Sequence, residues 1–196
     1  VSALFINYDK IIMTYAEKNY HRRSIRLKKY DYSQSGIYFV TLCVQDRLCL
    51  FGEVVSNEVM LNSAGLLIAD IWRSLSDRFK LISLLDYIVM PNHFHGLIQI
   101  NKDNGDPISR IIQYFKSFSH VQYSIGVNKS GWQILPGKLW QRNYYEHIIR
   151  SEEALEKIQE YIISNPHNWD EDKENPKYLR VLEKGQTQGL PLQTLP

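Results

Sequence analysis

LLDYIVMPNHFHGLIQI, residues 84–100, is the stretch on which the fold turns. LLDYIVM (84–90) and HFHGLIQI (93–100) are short apolar runs with β-branched and aromatic residues, the composition of strands. Pro91-Asn92 between them is turn chemistry. On a strand, side chains alternate between faces, so His93 and His95 point the same way, roughly 6.5–7 Å apart along the strand. Phe94 points to the other face, where it can enter a core. Two imidazoles on one face can converge on one metal ion. The same tripeptide is also compatible with two solvent-facing histidines at a strand start.

Upstream, GIYFVTLCVQ (36–45) and LCLFGEVV (48–55) read as two strands. The short polar break Asp46-Arg47 between them suggests a β-hairpin. NSAGLLIADIWRSLSDRF (62–79) repeats Leu67, Ile71, Leu75 and Phe79 at four-residue spacing, which predicts one amphipathic helix capped by Asn62 or Ser63. Residues 8–18 have only weak helical character.

Downstream, 101–107 reads as a polar loop, 108–123 as a helix and GVNKSG (126–131) as another loop. LWQRNYYEHIIR (139–150) is an aromatic-rich strand or extended segment. Ser151 then caps a helix whose first turn carries Glu152 and Glu153, favourable to the helix dipole. That helix ends near Ser164, because Pro166 disfavours helical backbone at Asn165. The order β, β, α, β, β, α, β, α predicts an α+β domain. Its mostly antiparallel sheet would be ferredoxin-like or RNA-recognition-like, with helices packed on one face.

Leu155, Ile158 and Ile162 form the core stripe of the last helix, and Tyr161 borders it. Tyr161 and Asn165 are four residues apart and share one side of the helix. A phenol and an amide would then project toward one place. The structural alternatives are a half-buried core tyrosine and a helix-capping asparagine.

The chain has 196 residues, 44% of them hydrophobic, which suits one domain with appended tails. No apolar run approaches the ~20 residues that would span a bilayer, and no signal peptide is read at residues 1–6. Cys43 and Cys49 lie in strand-like segments without a Cys-x-x-Cys, so free thiols in a reducing compartment are expected, with a cross-strand disulfide as the alternative. The net charge of +2 divides unevenly, with residues 151–196 at −4 and residues 1–150 at +6. Much of the excess lies in HRRSIRLKKY (21–30), where five of ten residues are Arg or Lys. Such a patch can draw in a polyanion by counterion release, or be a solvated basic strand.

Four motifs in order, RRSIRLKKYDYSQSGIYFVTLCVQDR (22–47), MPNHFHGLI (90–98), LWQRNYYEHIIR (139–150) and EYIISNP (160–166), resemble the single-tyrosine transposases of the His-hydrophobe-His superfamily. The REP-associated tyrosine transposases are the most similar subgroup. The resemblance runs from about Arg22 to about Trp169. It divides the chain into an N-terminal extension (1–20), a catalytic domain (21–169) and a polar tail (170–196).

The resemblance implies a DNA transposase that opens and rejoins single strands. Tyr161 would be the nucleophile, and a divalent metal, Mg²⁺ or Mn²⁺, would be held by His93, His95 and Asn165. It implies single-stranded or hairpin DNA as partner, no membrane, a possible homodimer, and a cytoplasmic setting at the bacterial nucleoid. His147 matches a family position without an assigned role. Arg22, Arg23, Arg26, Lys28 and Lys29 are the first candidates for phosphate contacts. Lys138, Trp140 and Arg142 come second, as an aromatic flanked by cations that can stack a base.

Two rival readings compete with this one. A metal-dependent hydrolase would follow His-x-His closely with Asp and His, and here GLIQI follows instead. A catalytically silent nucleic-acid-binding module fits the basic arm and the aromatic sheet, but leaves His93, His95, Tyr161 and Asn165 without a purpose.

Overall fold

The computed structural model describes residues 34–177. Six strands and four α-helices follow in chain order. They are β1 (Gly36–Cys43), β2 (Gly52–Val55), β3 (Glu58–Leu61), α1 (Ser63–Arg73), α2 (Leu75–Arg78), β4 (Ile82–Val89), β5 (His93–Ile100), α3 (Ile108–Ser130), β6 (Tyr145–Ile149) and α4 (Glu152–Ser164). β4, β5, β1 and β6 lie side by side in that order, each antiparallel to its neighbour. With the β2–β3 pair set aside, this is the ferredoxin-like arrangement. The first and third strands of the repeat fill the centre, and the hairpin is inserted after the first.

That insertion differs from the expected hairpin between β1 and the segment at 48–55. Asp46 and Arg47 both take left-handed backbone, which ends β1 and leads the chain away from the sheet. β2 instead pairs with β3, a strand not anticipated from sequence. Their two-residue loop, Ser56-Asn57, has positive φ at both positions. That is the turn whose twist suits a hairpin, built here without the usual glycine.

Asn62 caps α1 by accepting from Gly65 N at 3.0 Å, while its Nδ2 donates to Leu50 O. The expected single helix over 62–79 is broken at Ser74. The Ser74 hydroxyl donates back to Ile71 O at 2.8 Å, a local bond that competes with the helical ladder. α3 runs seven residues past its expected end, through Gly126, whose bare backbone lets the Trp132 ring pack against it. It stops at Gly131 in the left-handed conformation that favours glycine at a helix end.

Both faces of the sheet are covered. On one, Trp72 of α1, Phe94 of β5 and Phe115 of α3 form a buried aromatic triangle, with ring centroids 4.5–5.3 Å apart. On the other, α4 lies over Phe39, Leu97 and Ile149 and buries Ile162 among them. The expectation of helices on one face therefore holds for α1 and α3 alone. A β-bulge between Leu84 and Tyr87 turns both Leu85 and Ile88 toward α4. Gln159 of α4 donates to Asp86 in the same bulge. Leu155, Ile158 and Ile162 are the helix residues that face the sheet, and Tyr161 packs at their border.

After α4 the chain does not leave the domain at 169. Residues 170–177 fold back on the β4–β5 turn. Asn175 is buried and donates to Trp169 O at 2.8 Å, and Glu174 pairs with Arg47 at 2.7 Å. Cys43 and Cys49 are both free thiols. Among the described residues no helix is long and apolar enough to cross a membrane.

Candidate active site

The α4 face of the sheet carries the histidines. Met90 N donates to His93 O at 2.8 Å, which closes the two-residue loop Pro91-Asn92 and starts β5 at His93. Alternation then places His93 and His95 on the α4 face and Phe94 in the aromatic triangle behind. The two rings are 4.7 Å apart between centroids and roughly perpendicular. Both are buried.

Each ring is held from two sides. His95 stacks on Phe39 at 5.4 Å, and its Nδ1 lies 2.8 Å from Thr41 Oγ1 on the neighbouring strand. Its Nε2 then faces Tyr161 Oη at 3.4 Å. His93 has its Nδ1 3.0 Å from Asn92 Oδ1 and its Nε2 3.4 Å from Asn165 Oδ1. A carboxylate oxygen of Asp172 stands 3.8 Å from the same Nε2, and Trp169 flanks the ring at 5.9 Å. Tyr161 and Asn165 thus enter one site from one side of α4. Asn165 is buried, whereas Tyr161 is half-buried.

Burial dominates the electrostatics. It pushes His93 down to about 4, against the opposing pull of the Glu174 carboxylate and of Asn165. Burial also holds His95 well below the usual histidine range, and His93 adds to that effect. Both rings are neutral at neutral pH, the state in which imidazole ligates a metal. Cys43 lies beside the site at the end of β1, opposite His93. Burial raises its thiol far above the usual range and Glu174 reinforces the shift, so it stays protonated.

Among the described residues, no three His, Cys, Asp or Glu side chains meet the geometry of a metal centre. Across from the two imidazoles stand two oxygens from the α4 segment, the Asn165 amide oxygen facing His93 and the Tyr161 hydroxyl facing His95. The donor set of two nitrogens and an oxygen, without a thiolate, suits a hard or borderline divalent cation.

The second group of DNA-contact candidates divides. Lys138 and Arg142 are exposed. Trp140 is not, because its indole N–H donates to Ser119 Oγ at 2.8 Å and its ring packs on Phe51 and Phe115. A ring sealed in this way offers no face to a base, so its role is packing. Lys116 anchors the segment between them, donating to Gln141 O at 2.7 Å and Arg142 O at 2.9 Å. Arg22, Arg23, Arg26, Lys28 and Lys29 lie outside the described residues. His147 is exposed on β6 and apart from the pair.

Sequence reasoning missed Thr41, Asn92, Phe39, Asp172 and Glu174. Asn92 directly precedes His93 and reads only as a turn residue. Asp172 and Glu174 sit in a polar stretch whose pattern gives no sign that it folds back.

Comparison with known proteins agrees with this fold. The sequence model of the IS200-like transposases matches residues 33–165. A Haemophilus influenzae protein without an assigned function is 34% identical over 177 residues, covering 79% of this chain and 93% of that protein. A second protein of the same organism, provisionally named REP-associated tyrosine transposase, is 27% identical over 139 residues, or 69% of this chain and 73% of its own. Among solved structures, a REP-associated tyrosine transposase bound to a REP hairpin has the same fold. Its TM-score is 0.53 at 17% identity, with 73% of each chain covered.

Proposed function

Because the chain belongs to the IS200-like transposase family, we propose that it cuts and rejoins single-stranded or hairpin DNA by attack of Tyr161 on a phosphodiester. The observation that carries this reading is the convergence of two facing pairs, Tyr161 Oη with His95 Nε2 and Asn165 Oδ1 with His93 Nε2, each 3.4 Å apart. His93, His95 and Asn165 are the residues that would hold a Mg²⁺ or Mn²⁺ ion. When bound, such an ion neutralises a non-bridging phosphate oxygen and orients the phosphorus for in-line attack.

The rest falls to the protein. Tyr161, ordinarily a phenol of pKa ~10, loses its proton and forms an O–P bond. The P–O bond to the 3′-oxygen breaks, and that oxygen leaves as a 3′-hydroxyl. DNA is left joined to Tyr161 through a 5′-phosphate, and the bond energy is kept in that ester. A second 3′-hydroxyl can attack the ester and release Tyr161, joining a new strand without ATP. The half-exposed edge of Tyr161 is where the phosphate would enter. Lys138 and Arg142, together with the basic stretch at 21–30, are the proposed phosphate contacts. The hairpin seen with the structural relative supports a hairpin as the form of DNA recognised.

The test is a denaturing gel for a covalent protein–DNA adduct, with Mn²⁺ and single-stranded or hairpin DNA. Wild type should form the adduct. Tyr161→Phe should form none while binding DNA nearly as well. An adduct that survives this change removes Tyr161 from the chemistry, and binding without any adduct in wild type points to a silent binding module.

A further inference from the structure

The turn between β4 and β5 is tied down at both carbonyls. Pro91 O accepts from Phe51 N at 3.0 Å and Asn92 O from Val44 N at 2.8 Å. Asn92 itself is fully buried, and its side chain is fully engaged as well. Nδ2 donates to Glu174 O at 2.7 Å and to Arg47 O at 3.0 Å. A main-chain carbonyl can only accept, so these two partners fix which end of the amide is nitrogen. The atom 3.0 Å from His93 Nδ1 is therefore Oδ1, and it too can only accept. The proton of the neutral His93 ring must sit on Nδ1, which leaves the lone pair on Nε2.

The geometry points to Asn92 as a positioning residue that locks His93 in the Nδ1–H tautomer, aiming its Nε2 lone pair at the oxygens of Asn165 and Asp172. The inference rests on the cation-binding reading above, because a lone pair facing two oxygens is productive only with a cation between them. In the other tautomer, Nε2 would carry a hydrogen, donate it to Asn165 Oδ1 and close the site. One of the two carbonyls that set the amide belongs to Glu174, 82 residues further along. The segment folded back after α4 is thereby part of the same device.

Nitrogen-resolved NMR of the full-length, metal-free protein reads the tautomer directly. His93 should show a protonated Nδ1 and a bare Nε2, and a protonated Nε2 in wild type overturns the inference. Asn92→Leu removes both ends of the amide. It should release the tautomer and weaken Mn²⁺ binding by about 10–100-fold in titration calorimetry, as for other groups that orient a metal-binding histidine. Asn92→Asp keeps an acceptor toward Nδ1 and loses the Nδ2 donor. It should retain the tautomer while hydrogen exchange speeds up around residues 174–175. Equal Mn²⁺ affinity in wild type and Asn92→Leu, or tautomer loss in Asn92→Asp, counts against the assignment. Wild type that shows the Nδ1–H ring yet takes up no Mn²⁺ sinks the cation reading and leaves the tautomer assignment standing.

Discussion

Thr41 on β1 meets His95 on β5 across the sheet, its Oγ1 2.8 Å from the ring's Nδ1. The two are register partners, so the bond needs no loop to bring it about. With Nδ1 engaged, the opposite nitrogen faces Tyr161. Thr41→Val keeps the shape and removes the hydroxyl. Loss of one such bond should cost about 1 kcal/mol of stability but weaken Mn²⁺ binding by about tenfold. Calorimetry on wild type and Thr41→Val decides it, and unchanged Mn²⁺ affinity would detach Thr41 from the site.

Removing the ligands should stop cleavage without removing DNA binding. His93→Ala with His95→Ala, or chelation of metal from wild type, should reduce the covalent adduct to background. Asn165→Asp keeps an oxygen in place and should retain adduct formation, whereas Asn165→Leu should not. Full adduct formation by the double histidine variant in chelator would refute the metal role.

Metal-free protein should lose stability on mild acidification. An unfolded histidine titrates near 6.5, but in the fold His93 is pushed down to about 4 by burial. Between those values the unfolded chain binds a proton that the native chain refuses, so stability rises with pH across the window. The contribution is fully present above about pH 6.5 and is lost as pH falls toward 4. His93 alone supplies on the order of 3 kcal/mol. Urea unfolding at several pH values, for wild type and His93→Gln, isolates it. The variant should show a shallower slope, and parallel slopes would contradict the buried neutral ring.

The two thiols should differ sharply in reactivity. Burial raises both thiols, but Cys43 far more, with Glu174 adding to the shift, and Cys49 is the exposed one. A thiol reagent at neutral pH should label Cys49 first, with Cys43 reacting only on unfolding. Mass spectrometry after timed alkylation gives the order, and early labelling of Cys43 would mean that the segment at 172–175 does not stay docked over it.

DNA affinity should fall steeply with salt, by a slope of about −0.7 per neutralised phosphate on a single strand. Neutralising Arg22, Arg23 and Arg26 together should reduce that slope by about 2. Trp140→Phe, by contrast, should cost stability through the lost bond to Ser119 and leave the slope unchanged. Filter-binding titrations at several salt concentrations separate the two effects.

Period-2 and period-4 patterns made the main sheet and its helices legible. β4, β5 and α4 begin and end within about two residues of where the sequence puts them. The alternation His93-Phe94-His95 assigned faces correctly because both faces are buried and the register cannot drift. The hairpin pairing was not legible, since Asp46-Arg47 carries no sign of the left-handed turn that leads the chain away. β3 was hidden for the related reason that Ser56-Asn57 lacks the glycine of a standard hairpin turn. At the candidate site, local spacing and resemblance single out Tyr161, His93, His95 and Asn165, which the fold brings together. Asn92 and Glu174 were not, because what they do depends on contacts between residues far apart in the chain.

β5 alternates between two duties with every residue. Phe94 closes the aromatic triangle on one side, and its neighbours on either hand face Tyr161 and Asn165 on the other. A one-residue slip of this strand would exchange the two sets, driving imidazoles into hydrocarbon and turning a phenyl ring toward Tyr161. Misregistered protein would therefore be both unstable and inert, with no partly active form in between. Under the proposed chemistry, adduct yield per molecule would double as a count of correctly folded chains.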